Sequence, residues 1–156
     1  MPSRLATAIK QTKPFVSLEE EAFLALQRTA SELGQGVAEL LRPHGLSAAQ
    51  YNVLRILRGA REGGLACREI AERLVARDPD VTRLLDRMET QGLIVRARES
   101  TDRRVVITRI TGKGRDLVTR LDKPMSDLHL RQLGHLSRAK LETLLGLLDE
   151  ARTPED

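Results

Sequence analysis

The sequence holds few of the residues that build disulfide frameworks or aromatic cores. Its 156 residues include one cysteine, no tryptophan, one tyrosine and two phenylalanines. A single cysteine cannot form an internal disulfide, which fits a reducing cytoplasm. With so few aromatic side chains, the core must consist of Leu, Val, Ile and Ala, and this composition suits packed helices.

The chain also lacks the segments and motifs of several protein classes. No apolar run approaches roughly 18 residues, so no membrane span is expected. Arg4, Lys10 and Lys13 are not followed by an uninterrupted apolar segment, so no secretory signal is predicted. There is no nucleophile elbow, P-loop, dinucleotide fingerprint or zinc-hydrolase motif, so we expect neither an enzyme nor a cofactor.

The three histidines, His44, His129 and His135, stand apart from any dense pattern of Cys, Asp or Glu. The sequence therefore predicts no metal site.

The charge balance permits a nucleic-acid partner without requiring one. Lys and Arg number 26 against 22 acidic residues, a formal net charge of +4. From Arg68 to Arg104 nine arginines face eight acids, a net charge of only +1. Affinity for phosphates would therefore require that arginines and acids lie on different faces.

The middle of the chain reads as two short helices joined by a tight turn. The first starts near Ala66 and carries an apolar face of Ile70, Ala71 and Leu74. For the second, Asp78 is the predicted N-cap, with Pro79 in the first helical position. Its apolar stripe and its stop residue are Val81, Leu84, Leu85, Met88 and Gly92.

This pattern predicts a helix-turn-helix whose second helix exposes Thr and Arg side chains. The alternative is an ordinary helical hairpin with a charged surface. Two β-prone runs, 93–98 and 105–110, then flank a polar turn at 99–104, and Leu65-Ala66 could add an edge strand. A hairpin directly after the second helix indicates a winged helix.

These segments resemble the winged helix-turn-helix of MarR-type transcriptional regulators. The matching text is REIAERL, DPDVTRLLDRMETQGLIVR and STDRRVVITRITGKG. The wing motif Asp-x-Arg stands here as Asp102-Arg103-Arg104. The resemblance implies a regulator that binds double-stranded DNA, and less specifically it runs from about residue 18 to about 150.

Long amphipathic segments flank the winged unit. One runs from Ser17, where Ser17 and Glu20 are predicted to form a capping box, to about Arg42, and Pro43-His44-Gly45 ends it. Two follow the wing, starting at Thr111 and Ser137, and we expect a kink or break near Lys123 because Pro124 follows it. Their leucine stripes exceed what a 17 kDa monomer can cover. We therefore expect a homodimer, which the resemblance also implies, with half-sites about 10 bp apart.

The predicted fold is mainly α with a small β-hairpin wing. It divides into a flexible basic arm (1–16), an N-terminal dimerisation helix (17–45), a winged helix-turn-helix DNA-binding domain (46–110) and C-terminal dimerisation helices (111–152). The arm either frays or forms a short helix that packs on a partner subunit or touches DNA phosphates, and Ser47 with Gln50 predicts a second capping box.

Individual DNA contacts follow from residue chemistry and from the resemblance. By resemblance, Thr82 and Arg83 lie in the first turns of the second helix, where family members contact base edges. Arg83 is expected to contact a guanine, unless it forms a salt bridge with Asp80 or Asp86. Arg68, Arg77 and Arg87 suit phosphates. By resemblance, Arg104 enters the minor groove and Asp102 orients it, with Arg103 as a second candidate.

The sequence raises two further possible roles, ligand binding and redox sensing. The resemblance implies a small anionic aromatic ligand in a crevice for which His44, Tyr51 and Arg55 are candidates, although Tyr51 also suits the core. Such a ligand would release a repressor from DNA. Cys67, close to a helix N-terminus and to Arg68, raises the alternative of a thiol-based redox-sensing regulator. A helical protein-interaction module without DNA binding is the remaining alternative.

Overall fold

A computed structural model describes residues 3–60, 63–99, 102 and 104–153. It confirms a mainly helical chain with a small antiparallel sheet. The elements, in chain order, are α1 (Arg4–Ala8), α2 (Leu18–Leu41), α3 (Ala48–Gly59), β1 (Leu65–Ala66), α4 (Cys67–Arg73), α5 (Val81–Thr90), β2 (Ile94–Arg98), β3 (Val106–Ile110), α6 (Gly112–Leu133) and α7 (Arg138–Arg152). A short 3₁₀ turn, Arg42–His44, follows α2.

The predicted hairpin and its edge strand are both present. The strand order is β1-β3-β2, and both pairings are antiparallel. The β2–β3 ladder runs from the pair Ile94 and Ile110 to the pair Arg98 and Val106. Leu65 pairs with Thr108, so β1 closes the other edge of β3. Beyond the last pair of the ladder, the Glu99 amide donates to the Val105 carbonyl.

The core lies where α3, α4, α5, the sheet and α6 meet. The predicted leucine, isoleucine and valine side chains form most of it, but methionine and one tyrosine are buried with them, while alanines only pack against its edge. The side chains exposed by less than 2% are Leu41, Leu54, Leu57, Ile70, Leu85, Met88, Ile94, Leu121, Val53, Val118 and Thr108.

The start of α5 differs from the prediction. Its N-cap is Asp80, whose carboxylate accepts a hydrogen bond from the Arg83 amide at 3.0 Å. Asp78, the expected cap, instead accepts from the Asp80 amide at 2.8 Å. Because that bond folds Asp78-Pro79-Asp80 into a turn, the helix begins two residues later than Pro79 alone indicated.

The end of α5 is as predicted. Gly92 has φ of +72°, in the left-handed region that favours glycine. The Gly92 amide donates to Glu89, and the Leu93 amide donates to the Met88 carbonyl at 3.0 Å. These two bonds form a Schellman motif, which fixes where the chain leaves α5 to enter β2.

The two predicted capping boxes have different outcomes. The Ser47–Gln50 box at the start of α3 is confirmed, with both reciprocal bonds present. The Ser17–Glu20 box is wrong in one half. Ser17 accepts from the Glu20 amide, but the Glu20 carboxylate accepts from the Val16 amide at 2.6 Å rather than from that of Ser17. Of the two alternatives for the arm, the short helix is present as α1, capped by Ser3.

Of the kink or break expected near Lys123, the break is wrong, because α6 continues through Pro124 to Leu133; the kink stays a prediction. Proline removes one backbone hydrogen bond from a helix. Buried Leu117, Val118 and Leu121 before Pro124, and Met125 and Leu128 after it, hold both halves of α6 on one core.

Two long helices leave apolar surface uncovered. In α2 only Leu41 is buried, while Leu18 and Phe23 are 77% and 58% exposed. In α7 none of the described side chains is buried, and Leu145 is 63% exposed. Their leucine stripes are thus not satisfied within one chain.

A bidentate ion pair joins α3 to α6. The Arg58 guanidinium donates to both Asp122 carboxylate oxygens, at 2.7 and 2.8 Å. These bonds hold the pKa of Asp122 below its usual range, against the smaller opposing effect of burial. The pair fixes the C-terminal half of α3 against the helix that follows the wing.

No helix among the described residues is long and apolar enough to cross a membrane.

A methyl group at Gly114 is expected to destabilise the fold. An added Cβ would lie 2.3 Å from the Leu93 carbonyl oxygen and 3.0 Å from Ile110 Cγ1. We expect Gly114→Ala to lower the free energy of unfolding by about 1–3 kcal/mol in urea titrations at fixed protein concentration. Gly112→Ala is the matched control in the same helix, because no described heavy atom lies within 4 Å of its added Cβ. Equal stability of the two variants would contradict this packing.

The Arg58–Asp122 pair is expected to contribute stability only above acid pH. Because the folded-state pKa of Asp122 is depressed, its contribution is complete above the unfolded value of about 4 and is lost as the pH falls through the folded value. We expect Asp122→Asn to cost about 0.5–1 kcal/mol at pH 7, discounted because Asp122 is half exposed. In thermal unfolding, the difference from the wild-type chain should shrink as the pH falls below about 4 and vanish once the pH lies below the depressed folded-state pKa of Asp122.

Asp127→Asn is the control, since it removes an exposed i,i+4 pair with Lys123 on the same helix. A penalty for Asp122→Asn that persists unchanged into acid would show that the ion pair is not its source.

Candidate functional site

One face of α5 is the centre of the candidate site. Val81, Leu84, Leu85 and Met88 turn into the core, as predicted. Thr82, Arg83 and Arg87 are exposed on the opposite side, together with Asp86. The fold therefore presents two guanidinium groups and a hydroxyl along about one and a half turns of helix, an arrangement suited to contacting base edges and phosphates.

Arg83 does not form the ion pair that was the alternative to a base contact. Its backbone amide caps onto Asp80. Within the described part of the chain its guanidinium makes no salt bridge with Asp80 or Asp86. Asp86 instead pairs with Arg96, at 2.5 Å. The Arg83 fork is thus left for another partner.

Arg68 and Arg77, both predicted for phosphates, line one surface depression with Glu72 and Asp78. Arg68 forms an exposed i,i+4 pair with Glu72 at 2.9 Å and remains 90% exposed. Exposed pairs of this kind contribute little, so the Arg68 guanidinium can exchange its partner for a phosphate at small cost.

The wing tip carries Arg104 at the end of the hairpin. The Arg104 amide donates to an Asp102 carboxylate oxygen at 2.9 Å, and the Val105 amide donates to the Asp102 carbonyl. Asp102 therefore shapes the turn through the backbone, while the Arg104 side chain is exposed. Arg103, the second candidate, lies outside the described residues.

Sequence reasoning missed Arg96, which joins the wing to α5. Its Nε and Nη2 donate to Glu89 at 3.0 and 2.8 Å, and its backbone amide donates to the other Glu89 oxygen. These bonds lower the pKa of Glu89 and keep it ionised. Arg96 thereby holds the acids of α5, Asp86 and Glu89, at the wing side of the helix. Arg96 lies two positions after buried Ile94, on the same face of β2, but no sequence pattern indicated its partners.

The N-terminal end of α6 holds the C-terminal end of α5. The Thr111 hydroxyl donates to the Gly92 carbonyl, and Lys113 Nζ donates to the Gln91 carbonyl, both at 2.7 Å. A cation at these carbonyls is favourable because the C-terminal end of a helix is partially negative.

The three candidates for a ligand crevice are only partly brought together. Tyr51 is buried, as its alternative role in the core required, and burial raises its pKa while the nearby charge of Arg55 opposes this. Arg55 is exposed and lines a cavity of about 490 Å³ with Asn52, Arg58 and Val75. His44 lies exposed in the 3₁₀ turn, and among the described residues it does not line that cavity.

Cys67 opens α4 and lies half-buried beside α5, with its Sγ 4.0 Å from the Thr82 hydroxyl. Its redox role stays a prediction. Across the described ranges no three His, Cys, Asp or Glu side chains cluster as metal ligands.

Comparison with known proteins identifies relatives of this chain. A family model described as the MarR family matches residues 44–105, which run from the 3₁₀ turn after α2 to the residue before β3. The HTH-type transcriptional regulator TtmR of Methylorubrum extorquens (strain PA1) is 37% identical over 106 residues, 68% of this chain and 53% of TtmR. The chain thus spans about half the length of this curated relative.

Two solved structures match most of this chain and nearly all of their own. A MarR transcription factor from Planctomyces limnophilus is 41% identical, with a TM-score of 0.67 over 87% of this chain and 98% of that one. The transcriptional repressor CouR, bound to a 23-mer DNA duplex, is 30% identical, with a TM-score of 0.77 over 92% and 100% of the two chains. The matched helix-turn-helix and wing, with the flanking helices that these structures share, show that the chain belongs to the MarR family.

Proposed function

We propose that the chain is a sequence-specific DNA-binding transcriptional regulator that acts as a homodimer on a pseudo-palindromic site. The observation that carries the proposal is the exposed face of α5, where Thr82, Arg83 and Arg87 stand free of the core on a rigidly capped helix. The whole-length similarity to CouR, a repressor bound to a DNA duplex, supports it.

The dimensions of the site fit a duplex. The ten residues of α5 span about 15 Å, and a helix enters the major groove, about 12 Å wide. From there the wing tip with Arg104 extends to the side, where an arginine finds the negative potential of the minor groove. Arg68, Arg77 and Arg87 would bind the phosphates on either side.

The homodimer rests on the uncovered apolar faces of α2 and α7. Leu18 and Phe23 on α2, and Leu144, Leu145 and Leu147 on α7, are exposed in the single chain. A two-fold dimer would bury them and present two copies of α5 to successive major grooves, about 10 bp apart. Residues 17–45 and 111–152 are thus proposed as the dimerisation helices and 46–110 as the DNA-binding domain.

Repression and ligand release complete the proposal. A dimer seated on DNA blocks access to it, and the chain would act in the cytoplasm by binding alone. An anionic aromatic ligand would enter beside Arg55, which lines an open cavity and whose charge acts on buried Tyr51. A ligand there would shift α3, on which α4 and α5 pack.

The function is tested by selecting duplexes from a random-sequence pool with the purified chain. We expect a pseudo-palindrome with half-sites about 10 bp apart, bound with an affinity that falls steeply as salt rises. If no duplex is enriched at any salt concentration, the protein-interaction module becomes the better account.

Arg83 and Arg87 are expected to contribute to DNA binding in different ways, Arg83 to sequence discrimination and Arg87 to affinity for phosphates. On the selected duplex, Arg83→Ala should lose about 1–3 kcal/mol of discrimination at one base position per half-site. Arg87→Ala should weaken all duplexes alike and reduce the salt slope by about one phosphate. Titrations of cognate and mismatched duplexes at several salt concentrations separate the two effects. Identical slopes and identical discrimination in both variants would overturn this division.

The ligand site is tested by thermal unfolding with a panel of aromatic carboxylates, benzoate among them. A compound that binds the folded chain, present at a free concentration 100 times its Kd, should raise the free energy of unfolding by about 2.7 kcal/mol. Arg55→Ala should abolish this stabilisation. Arg115→Ala, an exposed arginine on α6, is the control. Stabilisation that survives in Arg55→Ala would place the ligand elsewhere.

A further inference from the structure

We propose that Gln91 is a positioning residue that couples the corner between α2 and α3 to the orientation of α5. Its amide and that of Gln50 form a connected chain of hydrogen bonds, here called the glutamine bridge, which ends at Gly45 and at Ser47. The inference rests on the proposed function, because it concerns how the two recognition helices of a dimer are held.

The side chain of Gln91 uses both ends of its amide. Its Oε1 accepts from Gln50 Nε2 at 3.1 Å, and its Nε2 lies 3.5 Å from the Gly45 carbonyl oxygen. The second contact is long and therefore weaker than the first. Gln91 is the C-cap of α5, so both contacts act at the point where the helix stops.

Gln50 carries the bridge into α3. Its Oε1 accepts from the Ser47 amide at 2.9 Å, as one half of the confirmed capping box. Only 7% of Gln50 is exposed, so its Nε2 has little access to water as a replacement partner. A buried amide left without a partner carries a desolvation cost, and this favours the bridged geometry.

The bridge links two parts of the molecule with different proposed tasks. Gly45, with φ of +68°, ends the turn after α2, the proposed dimerisation helix. Gln91 ends α5, the proposed reading helix, and its backbone carbonyl is also held by Lys113 of α6. When α2 moves relative to the partner copy, the hydrogen bonds of the glutamine bridge thereby move the C-terminal end of α5 with it.

The bridge is tested first without DNA. In wild-type protein the Ser47 amide and the Gln50 side-chain amide should be protected from hydrogen exchange. Gln91→Met keeps the length of the side chain and removes both contacts, so protection of these groups should fall by about three- to tenfold. Gln50→Met removes the acceptor of the Ser47 amide outright, so protection of that amide should fall at least as far. Unchanged protection in Gln91→Met would overturn the bridge.

The positioning role is tested with the duplex selected by the wild-type chain and two variants that carry one base pair more or less at its centre. The wild-type dimer should prefer the selected spacing. In Gln91→Met this preference should shrink by about threefold or more, because α5 is then free to adjust. Gln91→Glu keeps the acceptor for Gln50 and removes the donor to Gly45, so its loss should be smaller.

Thr90→Val is the matched control, since it removes a hydrogen bond at the same helix end that stays within α5, from the Thr90 hydroxyl to the Asp86 carbonyl. It should keep the spacing preference. If Gln91→Met loses affinity equally for all three duplexes, or behaves as Thr90→Val does, the positioning role is wrong. If wild-type protein selects no duplex, the proposed function fails, and the exchange comparison still decides whether the bridge exists.

Discussion

The candidate site depends on the burial of one face of α5. Val81, Leu84, Leu85 and Met88 are removed from water, and each buried side chain of this size contributes about 1.5–3 kcal/mol. Because these four positions follow the helical repeat, the same burial forces Thr82, Arg83 and Arg87 outward. The outward face is thus a consequence of the core.

Burial fixes the rotation of α5, and polar contacts fix its ends. Asp80 caps its start, and the Schellman bonds at Gly92 set its stop. Arg96 then ties the wing to Glu89, while Lys113 and Gln50 meet at Gln91. In a protein that reads a duplex, these contacts would hold helix and wing in one orientation before DNA arrives, which lowers the ordering cost of binding.

The sequence carried most of the fold and the outline of the site. Apolar spacing identified the helices, and alternation with turn residues identified the hairpin. The errors lie where local signals compete. Asp78 and Asp80 are both good caps, and only the Asx bond between them decides. Pro124 indicated a kink or break, but α6 is continuous there, because the burial of apolar side chains on both sides of Pro124 stabilises the helix more than the loss of one hydrogen bond destabilises it.

Contacts distant in sequence could not be predicted. Arg58 meets Asp122 across 64 positions, and Gln50 meets Gln91 across 41. Exposed arginines and glutamines occur throughout this chain, and nothing local distinguishes those that find partners. The DNA contacts of Arg83, Arg87 and Arg104 are predictions. The structure shows that these three side chains are exposed, and the structure of a bound duplex tests which groups of DNA they contact.

The central claim is that two chains, joined through α2 and α7, present paired α5 helices to one duplex. The mass of the protein measured by light scattering, alone and with a saturating selected duplex, tests it most directly. The account predicts twice the 17.4 kDa chain mass in free solution and two chains on each duplex. A single chain in solution that binds a single half-site would contradict it.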